Sequence, residues 1–438
     1  MVHLATTRAC GAACLLLLLV GACAATQEAG QPVGAARAQH APTLPSRIGP
    51  GLLPDGEAVG LVQLYQGEDE RQWPILRLGS RDYLTLSFDL LAAQARPLSI
   101  YFYHADYRWQ RDLLPAEYLA SFHRDDLLAA EPSIHTDLAY QHYVYRFPNE
   151  SIQFRLSGNY ILRVTEQGQE DAVLFERAFF VVEPRLQVEL AFDAFLGSQA
   201  AQQVRPLARF QVPVEMSAAV FDFTVCFARN GGFEAVRCSR RPLLDEQPMV
   251  SFTLAPEEAF PPEPADYFLD LSTLQPGGRI QRVDRGTQPP EVWLEPDYVR
   301  FGGSDVEPLL AGQSVVTAVV RDAPGDPSVA AAYVRVRFRL VPERPLGREV
   351  FLIGSFSGWQ VRPAYRMRWH PEQRYYEGEA LVKQGWHAYR YVLGGDVALR
   401  ANAQAMPRSE NVYTALVYFR DSSRGTDRLL GIGNQTAP

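Results

Sequence analysis

Across residues 333–340 apolar and polar side chains alternate without a break. Val334, Val336, Phe338 and Leu340 share one face, and Tyr333, Arg335, Arg337 and Arg339 share the other. A period of two marks a β-strand, because successive side chains leave the backbone on opposite sides. The apolar set belongs in a core, where each such side chain contributes about 1.5–3 kcal/mol on burial. A slip of one residue would expose all four, so the register is firmly set. The three guanidinium groups form a row that is either a docking surface for a partner or a solvated outer face.

The same kind of reading extends to the rest of the chain. Strand-like runs begin over 59–65 and continue over 73–78, 83–88, 98–104, 142–147, 160–164 and 173–182. Turn signals such as Leu78-Gly79-Ser80 and Ser157-Gly158-Asn159 separate several of them. Further runs cover 186–192, 220–228 and 293–301, while 112–122 has only a short helical character. Many short strands with frequent turns, supplied by 32 Gly and 32 Pro, predict an all-β chain of tandem immunoglobulin-like or early-set β-sandwich domains. Glu183-Pro184 marks a boundary. The expected units are an N-terminal sandwich over 59–184, a middle β-rich domain over 185–327 and a C-terminal early-set-like sandwich over 328–438.

Ahead of these, Arg8 precedes an apolar run over 12–20 that is too short to span a bilayer comfortably. It ends Val20-Gly21-Ala22-Cys23, which resembles the bacterial lipobox. The expectation is a lipoprotein signal peptide over 1–22, lipidation of Cys23 and a flexible tether over 23–58 rich in Ala, Gly, Pro and Gln. Cys10 and Cys14 would leave with the leader, so Cys226 and Cys238 remain. They flank a hairpin-like tip over 228–233, and a cross-strand disulfide is expected, with two free buried thiols as the alternative.

The formal net charge of −8 disfavours nucleic acid as a partner, although basic residues outnumber acidic ones from Ser328 onward. Motifs for a nucleophile elbow, a zinc protease, a phosphate loop or a dinucleotide fold are missing. The chain is therefore read as a non-enzyme with no catalytic residue, no metal, no cofactor and no small-molecule substrate. His104 with Asp106 and Trp109 is the most site-like cluster, and it reads better as a histidine packed among aromatics at a strand end. The run Gly354-Ser355-Phe356-Ser357-Gly358-Trp359 and the later Lys383-Gln384-Gly385-Trp386 resemble the early-set modules related to glycogen- and starch-binding domains. That resemblance implies, as an alternative function, a surface or periplasmic glycan-binding lipoprotein using Trp359, Lys383 and Trp386. The closing D-G-x-W stretch of those modules is replaced here by Leu393-Gly394-Gly395-Asp396-Val397, and both tryptophans read better as core residues of the sandwich.

Taken in order, several runs resemble one family across nearly all of the mature chain. They include Pro74-Ile75-Leu76-Arg77-Leu78-Gly79-Ser80, Tyr103-His104-Ala105-Asp106-Tyr107-Arg108-Trp109, Leu156-Ser157-Gly158-Asn159-Tyr160-Ile161-Leu162 and Thr426-Asp427-Arg428-Leu429-Leu430-Gly431. The family is the plug protein of the type IX secretion system of Bacteroidetes and relatives. The resemblance implies consecutive β-sandwiches, lipid-anchored at the periplasmic face of the outer membrane, that close the large β-barrel translocon when no cargo passes. Two departures are visible. Ala105 stands where the family often has cysteine, and Asp266-Tyr267-Phe268-Leu269-Asp270 is a reduced form of a longer family run. The single lysine, Lys383, falls where the family has one.

Overall fold

The alternating run folds as the strand Tyr333–Val341, with Val334, Val336, Phe338 and Leu340 all fully buried. The computed structural model describes residues 48–193, 203–244, 248–303, 310, 312–319, 325–407 and 410–437. The expected signal peptide, Cys23 and most of the tether lie outside the described residues. Strands dominate, helices are single turns, and the all-β expectation holds. No helix among the described residues is long and apolar enough to cross a membrane.

The strands form six sheets among the described residues, paired into three sandwiches. In the first, Val59–Gln66, Leu84–Leu90 and Gln141–Phe147 make one sheet with the short edge Glu131–Pro132. The facing sheet holds Leu98–Ala105, Gly158–Glu166 and Val173–Val182 at its centre. Leu86 and Phe88 from the first sheet meet Phe102, Leu162 and Phe179 from the second in one core.

The other two sandwiches are interleaved along the chain. Phe223–Arg229 pairs with Arg237–Ser239 on one side and with Asn411–Asp421 on the other, and Thr426–Ala437 completes that sheet. The C-terminal hairpin thus closes the second sandwich. Conversely, Tyr267–Asp270 pairs with Gly385–Leu393, and Glu291–Leu294 runs parallel to Tyr333–Val341, so both belong to the third. The contiguous division expected at 327/328 is therefore not the division the sheets follow. Edge strands are capped here by segments distant in sequence, which leaves fewer open backbone edges.

The third sandwich turns a corner at Gly385, between Tyr375–Lys383 in one sheet and Gly385–Leu393 in the other. Its φ is +150°, and a Cβ there would lie 2.2 Å from the Val315 carbonyl oxygen. Only glycine lets the two backbones approach so closely.

Candidate functional site: buried polar seams between the sandwiches

Lys383 ends a strand of the third sandwich and points away from that core toward the first sandwich. Its ammonium lies 2.7 Å from Asp89 Oδ2 and donates to the Ser328 carbonyl at 2.6 Å. Asp89 stands on Leu84–Leu90, with His142 Nδ1 2.7 Å from its Oδ1. The Tyr333 hydroxyl donates to Asp89 Oδ2 at 2.6 Å and accepts from the Leu61 amide at 2.7 Å. The ammonium also sits 4.4 Å from the centre of the Tyr140 ring, whose hydroxyl donates to the Ala331 carbonyl at 2.9 Å. Lys383 is 2% exposed and Asp89 1%, so no solvent screens the pair. Enclosing two charges costs several kcal/mol per ion, a cost offset here by their mutual attraction and by the further hydrogen bonds each makes. At Gly60 a Cβ would lie 2.3 Å from the Tyr333 hydroxyl, so that hydroxyl reaches the Leu61 amide only because the position is glycine.

A second latch joins the same two sandwiches. Asp55 takes both Arg177 nitrogens, at 2.7 and 2.9 Å, and also pairs with Arg362. On the same contact between the sandwiches, Glu70 accepts the Val316 amide at 2.6 Å, and the Gln63 side chain donates to the Ser314 carbonyl at 2.9 Å.

The seam between the first and second sandwiches is largely apolar. Ala105, Trp109 and Phe180 pack with Cys226, Leu416 and Tyr418. Ala105 is fully buried there. Its polar pins are the Tyr418 hydroxyl, which donates to Asn159 Oδ1 at 2.7 Å, and the Arg428–Glu183 ion pair. His104 belongs to the same seam. Its Nδ1 lies 2.8 Å from Asp112, which also accepts from Thr426, and its Nε2 lies 3.2 Å from the Ser157 carbonyl. Asp106 does not join it, because its carboxylate accepts the Arg108 and Gln110 amides at 2.9 Å. Trp109 packs on Phe180 instead, so these three residues close a turn and a seam and do not converge on a reactive centre.

The remaining expected residues fall as follows. Cys226 and Cys238 are directly opposed on neighbouring strands and joined as a disulfide. The arginine row faces outward but is matched by acids on the two flanking strands and by an amide one strand further out. Arg335 pairs with Glu379, Arg337 with Glu291 and Glu379, and Arg339 donates to Gln281. The row is therefore an ion-paired face, not a bare cationic stripe. Trp359 is half-buried at the junction of the sandwiches, where its indole donates to the Gly312 carbonyl at 2.6 Å and the Arg390 guanidinium lies 4.5 Å from its ring. Trp386 is also half-buried, opposite Asp270 and Val315. Lys383 corrects the sugar-contact expectation for that position: an ammonium enclosed at the Asp89 seam cannot meet a ligand at the surface.

Residues 59–183, which build the first sandwich and contribute Asp89, His142 and Tyr140 to the seam, match the family model described as the first domain of the type 9 secretion system plug protein. The first sandwich belongs to the type 9 secretion system plug family. Its presence ties the chain to type 9 secretion. The three-sandwich arrangement is also similar to the crystal structure of a hypothetical protein from Parabacteroides merdae. The TM-score is 0.78 at 21% identity, covering 89% of this chain and 100% of that one, a likeness of fold. No curated protein matches the sequence.

The plug domain's contact with the third sandwich has a definite acid response. Burial alone would raise the Asp55 carboxyl, but Arg177 and Arg362 more than offset it and hold it below the ordinary value. Burial likewise works against Asp89, and Lys383 and His142 hold it low. Glu70 goes the other way: burial raises it, and the Val316 amide offsets only part. A lowered carboxyl gives stability that is present above its unfolded value, about 4, and lost as pH falls through the folded one. A raised carboxyl gives stability that is present below the unfolded value and lost as pH rises through the folded one. The seam should therefore tighten slightly as pH falls from neutrality through Glu70, then loosen below about pH 4. Hydrogen exchange at the Leu61 and Val316 amides across this range reads both limbs. Glu70→Gln should remove the first, and Asp55→Asn should shrink the second; a flat profile in the unmodified chain contradicts both assignments.

Sequence reasoning missed Asp89, His142 and Tyr333 as partners of Lys383. The available signal was weak: an aspartate inside the apolar run Leu84-Thr85-Leu86-Ser87-Phe88-Asp89-Leu90, and a tyrosine heading the arginine face.

Proposed function

We propose that the chain is a non-enzymatic plug that closes the large outer-membrane β-barrel translocon of a type IX secretion system from the periplasmic side. The match of residues 59–183 to the plug family's first domain carries this reading. The seams support it physically. A sealing body must resist deformation, and buried polar latches and an apolar seam hold the first sandwich to both of the others. A lipid on Cys23 would confine the plug to the membrane and raise its local concentration at the barrel. A specific seal would bury at least about 1,000 Å².

The test is gentle solubilisation of membranes carrying a tagged chain, followed by affinity capture. A giant β-barrel should co-purify, and cells lacking the chain should admit large solutes that the outer membrane normally excludes. Cys23→Ala should move the protein to the soluble fraction and weaken the capture. Capture of no barrel, with unchanged permeability in the deletion strain, removes the plugging role.

A further inference from the structure

The chain between Phe223–Arg229 and Arg237–Ser239 forms an arm that reaches all three sandwiches. Asn230 and Gly231 turn it, with φ of 52° and 74°. Asn230 ties the arm to the second sandwich, its amide donating to the Val412 carbonyl at 2.8 Å and its Oδ1 accepting the Val412 amide at 2.9 Å. Phe233 crosses to the first sandwich, its ring centre 5.1 Å from that of Trp73 and 4.9 Å from that of Phe180. Val236 is 3% exposed, packs in the apolar seam, and exchanges backbone hydrogen bonds with Ile48 at 2.9 and 3.1 Å. Gly232 and Phe233 also help line a cavity of ≈ 170 Å³, together with Trp73 and Ala178 of the first sandwich and Gly358 and Trp359 of the third. The arm sits where the three sandwiches meet.

Its returning side is a short edge strand. Arg237–Ser239 has three residues, lies outermost in its sheet and pairs there, among the described residues, with Phe223–Arg229 alone. So short an edge pairing supplies few ladder hydrogen bonds, and such edges are where local opening costs least. Arg237 adds hydrogen bonds to the Glu258 and Ala259 carbonyls, and the Cys226–Cys238 bond closes the base of the arm. A cross-link between residues 12 apart removes much of the freedom that an opened arm would gain, so breaking it favours opening. Cys226 is fully buried and Cys238 half-buried, so Cys238 is the sulfur more open to an incoming thiolate. These are the only cysteines among the described residues, so reduction yields two thiols with no alternative pairing there.

We propose that the Cys226–Cys238 bond is a redox latch: oxidised, it pins the arm at the meeting point of the three sandwiches, and a dithiol reductant releases the arm while the three cores stay folded. In an oxidising compartment the latch stays closed. The opening step is thiol–disulfide exchange. A thiolate of the reductant attacks Cys238 Sγ, the Cys226–Cys238 bond breaks, and Cys226 leaves as a thiolate that takes up a proton. The reductant's second thiolate then displaces Cys238, which is protonated in turn, and the reductant departs as its own disulfide. Two electrons and two protons pass to the chain. The latch is a property of the arm and does not depend on the plugging role.

The test is hydrogen exchange of the full chain with and without dithiothreitol under native conditions, with free thiols counted in parallel. Reduction should speed exchange of the Val236 amide, and of those across 237–239, at least tenfold. Exchange in the core strands Leu98–Ala105 and Gly385–Leu393 should stay the same, and reoxidation should restore the slow rates. The double variant Cys226→Ala, Cys238→Ala should exchange as fast at the arm without reductant and ignore dithiothreitol. If that variant fails to fold, the reduced parent protein decides the question. Two free thiols in the untreated chain overturn the proposal, as does a bond that dithiothreitol cleaves only after unfolding. Unchanged exchange at Val236 after full reduction, or equal acceleration in the core strands, overturns it as well.

Discussion

Replacing Lys383 with methionine should cost about 3–5 kcal/mol of unfolding free energy, the loss expected when one partner of an enclosed ion pair is removed. Methionine keeps most of the side-chain volume, so the effect is mainly electrostatic. Asp89 would be left at 1% exposure with its charge answered only by His142 and the Tyr333 hydroxyl. Asp89→Asn should cost a similar amount, because it strands the ammonium against the Ser328 carbonyl. The double variant should recover most of the loss, since a neutral amide and a thioether can share the seam without an unmatched charge. The coupling energy then approaches the single-variant cost and is far from additive. Denaturant unfolding of the four proteins measures it. Single variants within about 1 kcal/mol of the parent would mean that the pair is not held charged in the seam, since surface ion pairs are worth that little.

Asp297→Ala should be comparably damaging and should act inside the third sandwich. Asp297 is 3% exposed, and its Oδ2 accepts the hydroxyls of Tyr389 at 2.9 Å and Tyr391 at 2.6 Å. Its Oδ1 lies 2.5 Å from Arg279. Both tyrosines are essentially fully buried and have no route to water. Each donor stripped of its acceptor costs about 1–3 kcal/mol, more for a charged one, so a loss of about 4 kcal/mol is expected. Asp297→Asn keeps an acceptor oxygen and should cost less. Thermal unfolding followed by tyrosine absorbance reads the difference. Equal effects of alanine and asparagine would show that the oxygen is not what holds the two phenols.

The two substitutions differ in what they disturb. Asp297 serves a core built within one sandwich, whereas Lys383 and Asp89 join two. Loss of the Lys383 pair should therefore loosen the plug-family domain from the third sandwich while each core stays intact.

Much of the fold was legible from residues alone, because strand formation is a local matter. The period of two over 333–340 set the buried face of Tyr333–Val341, and the turn at Ser157-Gly158-Asn159 set the start of the strand Gly158–Glu166. Spacing about Gly232 placed Cys226 and Cys238 in register. The ordered series of runs over 59–183 carried the family.

Tertiary structure alone decided which strands share a sheet and which charges meet. Nothing near Asn411 or Thr426 states that this hairpin returns to Phe223–Arg229, because the partner lies about two hundred residues away and an edge accepts any strand of suitable pattern. The fate of the cations was equally hidden. Arg335 and Arg337 look free until Glu291 and Glu379 arrive on neighbouring strands, and Lys383 looks exposed until Asp89 closes over it. Sequence pattern records the face on which a side chain leaves its strand; what lies opposite that face is set by packing between distant segments.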